Sequence, residues 1–282
     1  MKIERLSLFN YRALKNMSLK SSKFNNINNN VFKLLKALKL KDKILIKRNI
    51  YLLKDEKQYY GYLWLQHLCS DMYIINDLYF MNYRADSFDD FCEGKTLLYE
   101  TMINSDCNKF LPSYNFKIND ISDVLRLQLN TLFTSEDNDD TFETFIKNKH
   151  EDIRCELQNN IFDADSRVPI TKDDIYFDEE QEYYIDDGLI FMKDNDNFIG
   201  MGQIINLKGK LTIVNFGIRR EYRNNGYARK LLSKLIEKAR NLSLFLNQRY
   251  IYLRVSRSNE TAYNIYKDAG FQYYDSVITW ER

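Results

Sequence analysis

The sequence predicts an α/β (α+β) chain: a sheet flanked by helices, in two parts. Three observations predict it. Strand-like runs separated by short turns fill residues 189–218. An apolar-periodic helix then follows the loop Arg223-Asn224-Asn225-Gly226-Tyr227-Ala228. And seven of the nine glycines (188, 200, 202, 209, 217, 226, 270) lie in the last third of the 282 residues, where the backbone can take special geometry.

The elements follow in order. Residues 31–42 mix Leu, Val and Phe with Lys at helical spacing, while 44–54, 59–66 and 72–80 read as strands. Leu111-Pro112-Ser113 is the best boundary signal, giving an N-terminal domain over 1–111 and a second over 112–282. The spacing predicts a helix over 121–133, capped by Asn119 or Asp120, and another over 141–158. An acidic, aromatic segment covers 171–187. Strands follow at 189–193, 198–206 and 211–218, with turns at 194–197 and 208–210. Leu231, Leu232, Leu235, Ile236 and Ala239 give the next helix a buried face. A strand at 250–255, a short helix at 260–268 stopped by Gly270, and a strand-like run at 271–280 complete the chain.

Composition narrows the function classes. The net charge is +1, which does not point to nucleic acid. The distribution is uneven: residues 1–57 hold 15 Lys/Arg against 4 Asp/Glu, and residues 71–190 hold 28 Asp/Glu against 10 Lys/Arg. Cys69, Cys92, Cys107 and Cys155 form no CxxC pair, and His67 and His150 are the only histidines, so no metal site is expected. No apolar run approaches a membrane span and the first residues lack a signal-peptide core, so a cytoplasmic protein is expected, without a membrane partner. The opening residues resemble the first strand of RecF-like ATPases. Residues 21–40 contain no glycine, however, so the phosphate loop of those proteins is missing, and an ordinary edge strand is expected.

The loop at 223–228 carries the strongest chemistry. The first N–H groups of a helix lack intrahelical partners, and the helix dipole favours an anion there. Gly226 lets the backbone approach a phosphate or take φ > 0. Thirty-three residues past Gly226 comes Asn259, opening the run Asn-Glu-Thr-Ala-Tyr-Asn-Ile-Tyr-Lys-Asp-Ala-Gly-Phe.

With these two motifs, residues 114–282 resemble the GNAT N-acetyltransferase family. Arg223, Gly226 and Ala228 match its [RQ]-x-x-G-x-[GA] loop, and residues 259–271 match its Asn-x-x-Ala-x-x-x-Tyr-x-x-x-Gly-Phe signature. The resemblance implies a GNAT-like mixed, mostly antiparallel twisted sheet flanked by helices, with an additional N-terminal α/β domain. It implies acetyl-CoA as cofactor. The pyrophosphate would sit on Arg223, Asn224, Asn225, Gly226, Tyr227 and Ala228, and the pantetheine arm along Phe216, Gly217 and Ile218 and near Asn259. Tyr266 matches the family's general acid; the competing reading is a core tyrosine. Asn259 is also a plain helix N-cap, and both roles are compatible.

Two departures stand out. Arg220 replaces a common proline. Many members carry a glutamate base on the central strands, where this chain has Gln203 and Asn215. The base is left open between a water chain, a backbone carbonyl and a carboxylate from 173–187. That acidic segment reads either as a wall attracting a cationic amine or as a solvated loop.

The strands at 58–66 and 72–80 faintly resemble a second GNAT module, but residues 81–88 hold no glycine, so that copy would be degenerate. The expectation is an acetyl-CoA-dependent N-acetyltransferase acting on a primary amine of a small molecule or peptide by direct attack. The alternative is a non-catalytic acyl-CoA-binding or regulatory module. A nucleic-acid role through the basic N-terminus is a weaker third reading. The sequence leaves a homodimer open.

Overall fold

The structure is a computed structural model that describes residues 2–24, 31–37, 46–55, 58–81, 89–129, 140–163 and 168–282. The chain divides into two compact units, Met1–Ser122 with Asp275–Arg282, and Asp123–Tyr274. The boundary expected at Leu111-Pro112-Ser113 falls inside the first unit. There Leu111–Tyr114 forms a 3-10 turn with both end residues buried. Pro112 starts that turn, where its missing N–H costs nothing.

The first unit begins with β1 (Lys2–Arg5), α1 (Tyr11–Phe24) and α2 (Val31–Ala37). Strands β2 (Ile50–Lys54), β3 (Tyr59–Cys69) and β4 (Met72–Phe80) follow, then β5 (Thr96–Met102). Strands β1 to β4 pair antiparallel in order, and β1 is the expected edge strand. Strand β5 lies parallel to β4, from Met72 opposite Thr96 to Ile75 opposite Tyr99. Its other side pairs antiparallel with residues 277–281 of β12 (Gln272–Glu281). The aromatic and leucine side chains of β3 from Tyr60 to Leu65 are covered on both faces. Leu14, Met17, Val31 and Leu35 of the helices pack on Tyr62 and Trp64. Leu63, Leu78 and Tyr99 meet Leu111, Tyr114 and Trp280. The strand expected over 44–54 starts only at Ile50; residues 46–47 are helical and 44–45 lie outside the described residues, as do 38–42 of the helix expected over 31–42. The glycine-free stretch after Phe80 also lies outside them, apart from Met81.

The second unit orders its strands β6-β11-β10-β9-β8-β7. These are β6 (Lys117–Gln128, from Asp123 onward in this unit), β7 (Phe142–Thr144), β8 (Leu189–Asp194), β9 (Asn197–Leu207), β10 (Lys210–Ile218) and β11 (Tyr250–Ser256). Strands β7 to β10 pair antiparallel, while β10 and β11 run parallel. Lys208 and Gly209, both with φ > 0, make the tight turn between β9 and β10. Helices α3 (Glu151–Ile161) and α4 (Lys172–Glu179) lie between β7 and β8; α5 (Tyr227–Leu246) joins β10 to β11; α6 (Glu260–Asp268) follows β11. The expected stripe Leu231, Leu232, Leu235, Ile236 and Ala239 packs α5 onto Leu211, Ile213, Ile251 and Leu253. Leu157 and Ile161 of α3 pack with Ile175, Leu189, Phe191 and Met201. Thr171 and Asp174 form a capping box at the head of α4, inside the acidic segment.

Two helices expected from spacing are corrected. Residues 117–128 form a strand, not the start of a helix over 121–133. Ile118, Ile121, Val124 and Leu125 imitate a helical face. Leu125-Arg126-Leu127-Gln128-Leu129 alternates with period two, and that alternation is realised. The helix expected over 141–158 is a short strand, β7, then a turn with Asn148 at φ +64°, and only then α3. Lys147-Asn148-Lys149 is the turn chemistry that divides it.

The two units share one order of elements: a strand, two helices, three antiparallel strands, then a parallel strand. Between its last two strands the second unit has the twenty residues of α5; the described residues of the first have a single turn, Asp89–Cys92. No helix among the described residues is long and apolar enough to cross a membrane.

Candidate active site

Parallel pairing between β10 and β11 ends at Ile213 opposite Leu253, although β10 continues to Ile218 and β11 to Ser256. The strands therefore part. On its other edge β10 slips register against β9 between Val214 and Gly217, with Asn215 at φ +51°. Such a bulge withdraws backbone groups from the ladder and leaves them available to a ligand. Gly217 is required for a second reason: a Cβ there would lie 2.3 Å from Ile161 Cγ2. A cavity of about 990 Å³ occupies the gap, lined by Asn215, Phe216, Gly217, Ile218 and Tyr266 among others.

The loop 223–228 borders the same cavity. Gly226 is the N-cap of α5 at φ +80°, and nothing lies within 4 Å of where a Cβ would stand. The amides of Arg229 and Lys230 bond back to the Gly226 carbonyl at 3.1 and 3.3 Å. Those of Tyr227 and Ala228 have no preceding helical carbonyl to reach. An open glycine beside the head of a twenty-residue helix suits a pyrophosphate. Arg223 pins the loop: Nε donates to the Ile218 carbonyl at 2.9 Å and Nη2 to the Ile161 carbonyl at 3.1 Å. Asn225 turns its amide to the Tyr222 carbonyl at 3.5 Å and stays off the cavity wall. Of the neighbouring cations, Arg219 pairs with Glu156 and Arg229 with Asp268.

Tyr266 sits on α6 with 6% of its surface exposed, against Phe216 (5.8 Å between ring centroids) and Phe271 (6.0 Å). Burial pushes its phenol well above the usual range, so it is protonated at neutral pH. Its hydroxyl has no hydrogen-bond partner among the described residues, and the residue lines the cavity. Asn259 caps α6 by accepting the Ala262 N–H at 3.1 Å and also borders the cavity.

Gln203 and Asn215 belong to a polar chain that sequence reasoning saw only in part. Arg154 Nη2 donates to Asp178 Oδ2 at 2.6 Å and to Gln203 Oε1 at 3.3 Å. Gln203 Nε2 donates to Asp178 Oδ2 at 3.4 Å; Asn215 Nδ2 donates to Gln203 Oε1 at 3.0 Å. Gln158 Nε2 donates to Asn215 Oδ1 at 3.4 Å, and the Tyr183 hydroxyl to Asp178 Oδ1 at 2.8 Å. The missed members, Arg154 and Gln158, are helix residues one turn apart whose only signal is an i,i+4 pair of polar side chains on the face that also carries Leu157 and Ile161. Half of the eight acids in the acidic segment are thus committed: Asp174 to the cap of α4, Asp178 here, Asp186 to Lys147 and Asp187 to Lys238.

The structure therefore brings Phe216, Gly217, Ile218, Arg223, Asn224, Gly226, Tyr227, Ala228, Asn259 and Tyr266 onto one cavity, leaving out Asn225. No curated protein matches this sequence. Solved structures share the fold at low identity. A GCN5-related N-acetyltransferase from Sphaerobacter thermophilus aligns at a TM-score of 0.64 and 14% identity, over 100% of this chain and 95% of that one. A tandem GNAT protein from the clavulanic acid biosynthesis pathway aligns at 0.59 and 10%, over 100% and 98%. A GNAT-family acetyltransferase from Colwellia psychrerythraea aligns at 0.53 and 13%, over 100% and 99%. Residues 155–271 match the family model described as acetyltransferase (GNAT) family, running from Cys155 within α3 through the bulge, the loop and Tyr266, and this part of the chain is a GNAT-family domain.

Proposed function

We propose that this protein is an acetyl-CoA-dependent N-acetyltransferase whose acceptor is a primary amine of a small molecule or peptide. One coincidence supports the reading: the parted strands, the open head of α5 and a buried, protonated phenol face one cavity. Acetyl-CoA bound there would supply an activated acetyl thioester. The amides of Gly226, Tyr227 and Ala228 would hold its pyrophosphate, and the main chain of Phe216 to Ile218 its pantetheine amides, as an added strand. A bulge N–H would be placed to polarise the acyl carbonyl. Tyr266 Oη holds a proton in place for the departing sulfur. The test is thiol release from acetyl-CoA across a panel of primary amines, with wild type beside Tyr266→Phe. Amine-dependent release that drops in the variant is expected. Tight binding without release for any amine would favour a non-catalytic acyl-CoA-binding module, a reading aided by the absence of Asp or Glu among the described residues lining the cavity.

We also infer that the first unit is a degenerate copy of the second. Its shared order of elements supports this, and so does one local match. Phe271 N–H bonds the Tyr266 carbonyl (3.0 Å) and Gly270 N–H the Lys267 carbonyl (2.9 Å). Phe116 N–H bonds the Leu111 carbonyl (3.2 Å) and Asn115 N–H the Pro112 carbonyl (3.1 Å). Gly270 and Asn115 both take φ > 0. Leu111 thus stands where Tyr266 stands, without a hydroxyl, and Tyr114 stacks on Phe80 at 4.5 Å.

A further inference from the structure

The cavity carries cations and no acid on its described wall. Arg223, Arg229 and Arg254 line it; no Asp or Glu does. The carboxylate behind the wall, Asp178, accepts from Tyr183 on one oxygen and from Arg154 and Gln203 on the other, and it does not line the cavity. Glu179 is half-buried and its partial burial raises its pKa, with Glu151 adding to the rise. Its charged neighbours Lys147, Glu151 and Arg154 mark the N-terminal end of α3, whereas the cavity meets the C-terminal end at Ile161 and Phe162. Those ends are roughly 10–15 Å apart at 1.5 Å per residue.

What faces the cavity instead is an amide, and its orientation is forced. Arg154 can only donate, so Gln203 must turn Oε1 toward it and Nε2 toward Asp178. Asn215 must then give Nδ2 to Gln203 Oε1, which leaves Oδ1 as the acceptor. Gln158 spends Nε2 on that oxygen over a long 3.4 Å, and its own Oε1 is buried without a partner. The ion pair thereby orients two carbonyl oxygens as acceptors, Oδ1 of Asn215, a residue of the cavity wall, and the buried Oε1 of Gln158 behind it.

Resting on the acetyltransferase reading, we propose that the acceptor amine enters uncharged and donates an N–H to Asn215 Oδ1, so that the protein selects weakly basic primary amines, such as a peptide α-amine, over strongly basic alkylammonium acceptors. The proton balance agrees. A neutral amine forms the N–C bond as the C–S bond breaks; the proton it loses equals the proton the sulfur gains, and nothing is released. An alkylammonium acceptor must shed one proton more, and an amide oxygen does not take it. The charges around the site favour the same outcome. Arg154 is paired with Asp178, Arg219 with Glu156 and Arg229 with Asp268, while Arg223 is spent on two main-chain carbonyls and has no carboxylate partner among the described residues.

At pH 7 a peptide α-amine is uncharged to an extent roughly 200-fold greater than a lysine side chain, from ordinary pKa values near 8 and 10.4. The experiment compares kcat/KM against pH for ethylamine and 2,2-difluoroethylamine, similar in size and different in basicity. The expected profiles rise tenfold per pH unit up to each amine's own pKa, so the break moves with the amine. A break shared by both amines would reveal a proton acceptor on the protein and overturn the proposal while leaving acetyl transfer intact. Asn215→Asp adds a carboxylate at a backbone conformation Asp tolerates. It should flatten the ethylamine profile and narrow the selectivity at least tenfold; an unchanged profile counts against the proposal. Should that variant not fold, calorimetry of ethylamine binding to the CoA-loaded wild type in two buffers decides. One proton released per amine bound is expected, and none released overturns the proposal. Absence of thiol release with every amine is a separate result, which sinks the acetyltransferase reading itself.

Discussion

Arg154 Nη2 lies 2.6 Å from Asp178 Oδ2, joining α3 to α4 beneath the sheet, with the arginine side chain 3% exposed and the aspartate 22%. Arg154 Nε and Nη1 find no other partner among the described residues, so the guanidinium depends on Asp178 for its charge compensation. Removing one member of a largely buried pair strands the other. Asp178→Ala is expected to destabilise the protein by about 3 kcal/mol, read as a fall in the denaturant midpoint. Arg154→Met combined with Asp178→Leu should recover much of that loss, because apolar replacements leave no unpaired charge.

Tyr266 invites the opposite expectation for stability. Its ring is held by Phe216 and Phe271, while its hydroxyl bonds to nothing described. Tyr266→Phe should leave the thermal midpoint within about 1 °C and acetyl-CoA affinity within a factor of about two. It should lower kcat by roughly 10²-fold or more, the lower range for a lost general acid. A parallel loss of affinity and stability would mark the tyrosine as packing alone.

The parts legible in the sequence are those where one residue type reports one backbone need. Gly226 and Gly270 read correctly because φ of +80° and +91° exclude most side chains, and Asn259 because its cap lies three residues before Ala262 N–H. The stripe of α5 was legible because a 3.6-residue period held along a twenty-residue helix is hard to imitate. Strand β6 was not: over a dozen residues, apolar spacing alone did not separate i,i+3 from i,i+2 until its neighbours were known. Nor was the Arg154 chain, since residues 154, 178, 203 and 215 meet only through the fold. Gln203 and Asn215 could be read as the place where an acid is missing, but not as amides fixed by an ion pair two residues deep.

Two glycines on the cavity should fail for different reasons. Gly226→Ala meets no neighbour, but φ of +80° costs roughly 1–2 kcal/mol with a Cβ. Relaxing that strain would move the loop, so acetyl-CoA affinity should fall about tenfold. Gly217→Ala instead puts a methyl 2.3 Å from Ile161 Cγ2. Adding Ile161→Ala removes the clash and should restore stability in part, while it should do nothing for Gly226→Ala. A double-mutant cycle measured by denaturant unfolding distinguishes the two.

If the first unit is a degenerate copy, acetyl-CoA binds once per chain. Calorimetric titration of the full chain should give a stoichiometry near one, with that single class of site weakened about tenfold by Gly226→Ala. A stoichiometry of two, with one class of sites insensitive to that substitution, would show a working donor site elsewhere in the chain.

Asp77 makes a test of stability against pH. It is fully buried on β4, where Oδ2 accepts the Val31 N–H at the head of α2 (3.1 Å) and the Tyr62 hydroxyl (2.7 Å), and Oδ1 has no partner. Burial pushes its pKa up to about 6, against hydrogen bonds from Val31 and Tyr62 that pull it down. The native state therefore binds a proton more tightly than the unfolded chain. Through this group, stability falls as pH rises from about 4 to about 6 and levels off above, because the charged form is disfavoured only when folded. Asp77→Asn can keep both hydrogen bonds on its single oxygen and puts an amide in place of the unpaired one. Its expected unfolding free energy exceeds that of wild type at pH 7, and the gap closes toward pH 4. Urea midpoints at pH 4, 5, 6 and 7 measure this; a gap that widens on acidification would mean that Asp77 is held as a carboxylate by its two donors.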